Sequence, residues 1–296
     1  MFIATLIAAD RLTKDDLFAA GALFDEASIQ AHSWTWVEEG SAADFECSGQ
    51  ADEGARIRAA IEGKLPGIDV VVQRQDRRRR RLLIADMDST MIAVECIDEL
   101  ADYAGVAHEI AAITEQAMRG ELAFEAALEA RVALLAGLDE AAIERCHDER
   151  VRITAGAVPL VRTMRAHGAY CLLVSGGFSR FADRVAAEIG FDRAVSNSLG
   201  IRGGRLAGTV ARPIVGAQGK RRALVDACAA QDVPVDDALA VGDGANDVPM
   251  SEAAGLGIAY HAKPAAAAAA DARIAHNDLT ALLYAQGYAR SAWVTA

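Results

Sequence analysis

The chain has 296 residues, 52% of them apolar and 24% charged, and its 42 acidic against 30 basic side chains leave a net charge of −12. That length fits one large domain or two ordinary ones, and the apolar share is too high for a disordered chain. The acidity argues against a general nucleic-acid binder, which needs a basic face, but not against a small anionic substrate.

Residues 2–8 form a short apolar run, followed by a helical pattern to about Phe24. Extended segments are expected at Ala31–Val37 and Asp44–Cys47, a helix at Ala51–Glu62 and a strand at Ile68–Gln73. The resulting β-α-β-β-α-β order suits a small split-βαβ domain over residues 1–75. The first residues lack the basic flank of a signal peptide, and no apolar run reaches the ~18 residues of a membrane span. The five cysteines are scattered, with no C-x-x-C pair, so neither a zinc site nor a disulfide framework follows. A cytoplasmic protein with its cysteines packed as small apolar groups is expected.

A basic run, Arg74-Gln-Asp-Arg-Arg-Arg-Arg-Arg81, comes next. It can be a patch for nucleic acid or an anionic surface, or a connection between domains that runs into a strand; the surrounding acidity favours the connection. Over 76–296 the pattern turns α/β. Leu82–Ala85, Ala169–Val174 and Ala238–Val241 are apolar runs that suit strands buried on both faces of a parallel sheet. Helical stretches at Val158–Ala166, Arg180–Ile189 and Lys220–Gln231 separate them, which predicts a doubly wound parallel sheet with ligands at the carboxyl ends of its strands. Residues 92–150 are a helical insert, residues 195–215 a hairpin around Gly203-Gly204, and the tract Ala265–Ala270 a helix.

Four segments can carry chemistry. Asp86-Met-Asp-Ser-Thr90 follows the strand Leu82–Ala85, and its two carboxylates can converge on one site. Hard oxygen ligands of that kind suit Mg²⁺, and a carboxylate facing a phosphate can act as a nucleophile. A D-x-D pair is also a common acidic turn. Val174-Ser-Gly-Gly-Phe178 offers a hydroxyl and free backbone amides to phosphate oxygens, and Lys220 can supply a point charge. Val241-Gly-Asp-Gly-Ala-Asn-Asp247 adds two carboxylates and an amide at a third strand end. Each reads alone as a turn, a surface lysine or a Gly-rich loop, but their order along the chain makes a site.

That order resembles the haloacid dehalogenase (HAD) superfamily, and within it the phosphoserine phosphatase family. The narrower resemblance rests on Glu95-Cys-Ile-Asp-Glu-Leu-Ala101, Ala117-Met-Arg-Gly-Glu121, Phe124-Glu125, Arg131-Val132 and Gly255-Leu-Gly-Ile-Ala-Tyr-His-Ala-Lys-Pro264. It implies a HAD-like core with a helical cap at about 92–150, and a phosphoserine hydrolase working through an aspartyl-phosphate. Asp86 is then the nucleophile and Asp88 the general acid and base. Asp86 and Asp243 ligate Mg²⁺ through carboxylates and Asp88 through its carbonyl, while Asp247 holds a metal-bound water or orients Lys220. Ser175, the amide of Gly176 and Lys220 bind phosphoryl oxygens, with Asn246 close by. Arg131 clamps the substrate carboxylate, Glu95 takes its ammonium, and Met118 and Phe124 wall a closing lid. On residue type alone Met118 and Phe124 read as core of the insert.

The N-terminal element order is similar to an ACT-type regulatory domain, which implies a possible homodimer through it. Two other readings share these features: a related phosphotransferase acting on another small alcohol, and an amino-acid sensor on a phosphatase scaffold. The complete carboxylate set argues against the second.

Overall fold

A computed structural model of the chain describes residues 1–50, 53–119 and 121–295, with the side chain of Met118 outside the described set. The N-terminal unit runs β1 (Phe2–Ala8), α1 (Lys14–Glu26), β2 (Ala31–Glu38), β3 (Ala42–Cys47), α2 (Gly54–Ile61) and β4 (Ile68–Arg74). Helix α1 starts at Thr13, whose hydroxyl accepts from the Asp16 amide at 3.2 Å while the Asp16 carboxylate accepts from the Thr13 amide at 2.8 Å. This reciprocal cap satisfies two amide donors that a helix start leaves free. The strands pair antiparallel in the order β2-β3-β1-β4, as the split-βαβ pattern requires. Ala51 and Asp52, where helix α2 was expected to begin, lie outside the described residues.

The larger unit contains β5 (Leu82–Ala85), β6 (Tyr170–Phe178), β7 (Arg193–Asn197), β10 (Ala238–Gly242), β11 (Leu256–Tyr260) and β12 (Ala272–Ile274). These pair parallel in the order β12-β11-β10-β5-β6-β7. The chain winds one way from β5 to β7 and the other way from β10 to β12, so the switch point lies between β5 and β10. Ligands of such sheets bind at the carboxyl ends there. Helices α7 (Ala157–Ala166), α8 (Ser179–Ile189), α9 (Ala217–Ala230), α10 (Val248–Ala253), α11 (Pro264–Ala269) and α12 (Ala281–Ala285) complete it. Four cap helices, α3 (Cys96–Ala104), α4 (Ala107–Met118), α5 (Phe124–Leu134) and α6 (Ala141–Arg150), fill the insert. The hairpin strands β8 (Leu199–Arg202) and β9 (Arg205–Val210) turn through Gly203 and Gly204, both at positive φ (60° and 74°). Two left-handed residues in succession suit glycine and match the twist of a tight hairpin. No described helix is long and apolar enough to cross a membrane.

The structure departs from the sequence reading in three places. Strand β6 continues through Ser175-Gly-Gly to Phe178, so that motif is extended backbone with a register shift against β7, not a turn. Helix α9 starts three residues before Lys220, placing the lysine inside its first turn. The two sheets are also one: β4 meets β12 at Val70 and Arg273, giving ten strands in all.

The basic run builds that junction. Arg78 donates to Asp44 Oδ1 at 2.7 Å and to the carbonyls of Ala285 and Tyr284. Arg80, buried, donates to Gln73 Oε1 at 2.8 Å and to the Asp236 carbonyl at 2.7 Å. Arg77 pairs with Asp237, and Arg79 lies over the Tyr288 ring. These arginines join the two units and are engaged at home. One face of the N-terminal sheet buries its own helices; Ile7, Ala42 and Val71 on the other face pack into the larger core.

Candidate active site

Strand β5 ends at Ala85, so Asp86 stands at the carboxyl end of the sheet beside the switch point. The next strand over, β10, ends at Gly242 and delivers Asp243 to the same edge; the tight turn before α10 brings in Asp247. One carboxylate oxygen from each of Asp86, Asp243 and Asp247 lies within 4.8 Å of the others, and all three residues are buried. Gly242 is required for this: a Cβ there would lie 2.4 Å from the Asp247 carboxyl carbon.

Lys220 is fully buried among them. Its Nζ lies 2.6 Å from Asp86 Oδ1 and 2.7 Å from Asp247 Oδ1. Asp86 Oδ1 also accepts from the Met87 amide at 2.7 Å, and Asp247 Oδ2 accepts from the Gly244 amide at 3.0 Å. Asp88 Oδ1 accepts from the Cys96 amide at 3.1 Å, and its Oδ2 accepts from the Ser175 hydroxyl at 3.4 Å. Ser89 has a left-handed backbone (φ 55°) and donates to Glu95 Oε1 at 2.8 Å, which holds Glu95 at the edge of the site.

The cap closes over this group. The Phe124 ring lies so close to the backbone of Gly216 that a Cβ there would stand 2.9 Å from it, and the same ring touches Gly176. Arg131, two turns along the same face of α5 as Phe124, donates to the Ala127 carbonyl (3.3 Å) and Thr114 Oγ1 (3.4 Å). Asn246 rests against Gly244. The Met118 side chain and Gly120 lie outside the described residues. A cavity of about 800 Å³ lies elsewhere, at the seam of the two units, bordered by Arg58, Arg77, Arg80, Glu252 and Asp271.

A family model for haloacid dehalogenase-like hydrolases matches residues 83–252, the stretch that carries all four motifs. The chain belongs to the haloacid dehalogenase-like hydrolase family. It is 43% identical over 252 residues to a phosphoserine phosphatase of Streptomyces coelicolor, covering 84% of this chain and 61% of that protein. It is 40% identical over 237 residues to a phosphoserine phosphatase of Archaeoglobus fulgidus, covering 79% of this chain and 69% of that one. The solved structure of a probable phosphoserine phosphatase from Vibrio cholerae superposes with a TM-score of 0.77 at 32% identity, covering 98% of this chain and 87% of the other.

In this hydrolase the electrostatics follow from burial. Asp86 is held well above the usual carboxylate range, first by burial and then by the Asp247 charge, with Lys220 opposing both. Burial also raises Asp88. Glu95 is pushed up to about 7, mainly by burial and then by the charge of Asp88. Burial works against the Lys220 ammonium, but Asp86 and Asp247 outweigh it and raise its pKa.

Two residues of the site escaped the sequence reading. Asn197, buried at the end of β7, donates through Nδ2 to the carbonyls of Gly176 (2.8 Å) and Val215 (3.3 Å), while its Oδ1 accepts from the Val215 amide at 2.7 Å. It ties the extended Ser175-Gly-Gly segment to the loop that leads to Lys220. Lys263 lies within the Gly255–Pro264 segment, where the sequence alone assigns it no role. Its Nζ stands 3.3 Å from Asp243 Oδ2, and its amide donates to the Asp243 carbonyl at 3.0 Å.

Proposed function

We propose that this chain is an Mg²⁺-dependent phosphatase that hydrolyses O-phospho-L-serine to L-serine and phosphate, the last step of serine biosynthesis. The observation that carries this reading is the buried Asp86–Lys220–Asp247 group beneath a cap that presents Arg131 and Glu95. The phosphoserine phosphatases among its relatives support the choice of substrate.

Asp86 Oδ1 is occupied by Lys220 and the Met87 amide, which leaves Oδ2 as the attacking oxygen. The Oδ2–phosphorus bond forms as the bond from phosphorus to the seryl oxygen breaks. Asp88, whose pKa burial raises, is assigned as the acid that gives a proton to the departing oxygen. It then takes a proton from water, which attacks phosphorus and releases phosphate and free Asp86. Lys220, the Ser175 hydroxyl and the Gly176 amide are assigned to phosphoryl oxygens, and Asn246 stands at the rim of that group. Arg131 pairs with the substrate carboxylate as a planar fork, and Glu95 with the ammonium. Phe124, with Met118, walls the closed site against water.

Three buried carboxylates, only partly offset by Lys220 and Lys263, form a hard-oxygen set that fits a divalent cation. Asp86, Asp243 and the Asp88 carbonyl are the assigned Mg²⁺ ligands, with Asp247 behind them. The ion would offset the repulsion between carboxylate and phosphate.

Residues 1–75 are read as an ACT-like regulatory unit and 76–296 as the phosphatase. Strand β2 ends the sheet with one edge unpaired among the described residues, which suits a homodimer through this unit. The five cysteines, all buried and unpaired, suit the cytoplasm.

Phosphate release from a panel of phosphomonoesters, with Mg²⁺ and with a chelator, tests the reading. Strong preference for phosphoserine, lost with the chelator and in Asp86→Asn, is expected. Equal turnover of esters that lack the amino-acid head would overturn the substrate assignment, and phosphate appearing on an added alcohol would point to phosphotransfer.

A further inference from the structure

The cap helix α5 carries Phe124 and Arg131, and its two ends are fastened in different ways. Its C-terminal side is tied to the β8–β9 hairpin by backbone hydrogen bonds: Gly137 N to Leu206 O at 2.8 Å, Leu206 N to Leu138 O at 2.8 Å and Glu140 N to Gly204 O at 2.9 Å. At its N-terminal side, over the site, the fastening to the segment after β9 is by side chains. Arg212 Nη1 donates to Glu125 Oε2 at 3.2 Å and Nη2 to Glu129 Oε1 at 2.5 Å. Backbone ties between packed elements open only with local unfolding, whereas exposed ion pairs are individually weak and salt-screened.

The pairing also explains two otherwise unfavourable glutamates. Like charges one helix turn apart repel, and Arg212 bridges this pair. The anchoring side of the contact is firm. Arg212 belongs to the same short segment as Val215 and Gly216, which Asn197 binds to the Gly176 carbonyl and against which the Phe124 ring rests.

We propose that Arg212 is a positioning residue: with Glu125 and Glu129 it latches the site end of α5 closed, and that end opens by unwinding its first turns, while the backbone-tied C-terminal side stays in place, to admit substrate and release product. The opening itself is independent of the phosphoserine reading; only its kinetic consequence rests on that reading.

The test compares wild type, Arg212→Glu, and the charge-reversed triple variant Arg212→Glu/Glu125→Arg/Glu129→Arg. Hydrogen exchange in the full chain, with no substrate present, should quicken about tenfold at the amides of residues 127–130 in Arg212→Glu. Exchange at 137–140 should stay within twofold, and the triple variant should return to wild-type rates. With whichever phosphomonoester proves to be turned over, KM should rise several-fold in Arg212→Glu while kcat changes less than twofold, and the triple variant should recover. Unchanged exchange at 127–130, equal quickening at both ends, or failure of the triple variant to recover would each overturn the latch. Normal exchange behaviour of the latch with no activity on phosphoserine would instead count against the substrate assignment alone.

Discussion

Lys220 Nζ sits 2.6 Å from Asp86 Oδ1, inside a cluster that also buries Asp247 and Asp243. The lysine holds Asp86, the proposed nucleophile, and offsets the charge of its neighbours. Removing one partner of a buried ion pair leaves the rest uncompensated, at a cost of ~3–5 kcal/mol. Lys220→Met is expected to lower the unfolding free energy of the metal-free protein by about that amount and to abolish turnover. Urea titration and phosphate release check the two effects separately, and a variant as stable as wild type would contradict the ionic account.

Arg131 is half-buried; among the described residues its guanidinium donates to the Ala127 carbonyl and Thr114, with the carboxylates of Asp98 and Glu95 near it but not hydrogen-bonded to it. Arg131→Ala should therefore cost phosphoserine about 10- to 100-fold in kcat/KM, in line with ~1.5–3 kcal/mol for a hydrogen bond to a charged group. Phosphoethanolamine, which lacks the carboxylate, should lose less than threefold. Equal losses on both esters would remove Arg131 from substrate recognition.

Glu95 is raised to about 7 in the folded chain, mainly by burial. An acid whose folded pKa lies above its unfolded value favours folding most below the unfolded value, and that contribution fades as pH rises through the folded one. Denaturant unfolding of the metal-free protein should thus lose up to about 3 kcal/mol from this group between pH 4.5 and 7.5. Glu95→Gln should flatten that part of the profile. A profile identical to wild type would show that Glu95 titrates near its ordinary value.

Asn197 joins Gly176 to Val215 by three hydrogen bonds while buried. Asn197→Ala leaves the Val215 amide and two carbonyls without their partner, which should cost ~1–3 kcal/mol of stability. Because the Ser175-Gly-Gly segment and the loop before Lys220 are the parts proposed to bind phosphoryl oxygens, inorganic phosphate should also inhibit the variant at least fivefold more weakly. Weakened stability with unchanged phosphate inhibition would make Asn197 a packing residue only.

The chemistry-bearing motifs were legible because each is local: a strand's apolar run ends and the polar residues follow at once. Asp86 after Leu82–Ala85 and Asp243 after Ala238–Gly242 could be placed at a common sheet edge from that pattern alone. Asn197 could not, since its partners Gly176 and Val215 lie about twenty residues away in either direction and a lone buried asparagine leaves no pattern. The extension of β6 through Ser175-Gly-Gly was hidden for a related reason. Glycines weaken strands and mark bulges; here the pairing with β7 skips from Val174 to Phe178, and Asn197 holds the Gly176 carbonyl between them.

The sequence by itself determined the order of elements, the parallel core and the residue types of the site, because apolar periodicity and strand-end polarity are properties of neighbouring residues. The tertiary structure alone decided that the two sheets fuse through Val70 and Arg273, and that the arginines after β4 bind Asp44, Gln73 and Asp237. It also decided that α5 is tied by backbone at one end and by Arg212 at the other. Those outcomes join residues far apart in the chain, where pairing depends on the three-dimensional path and no local pattern records it.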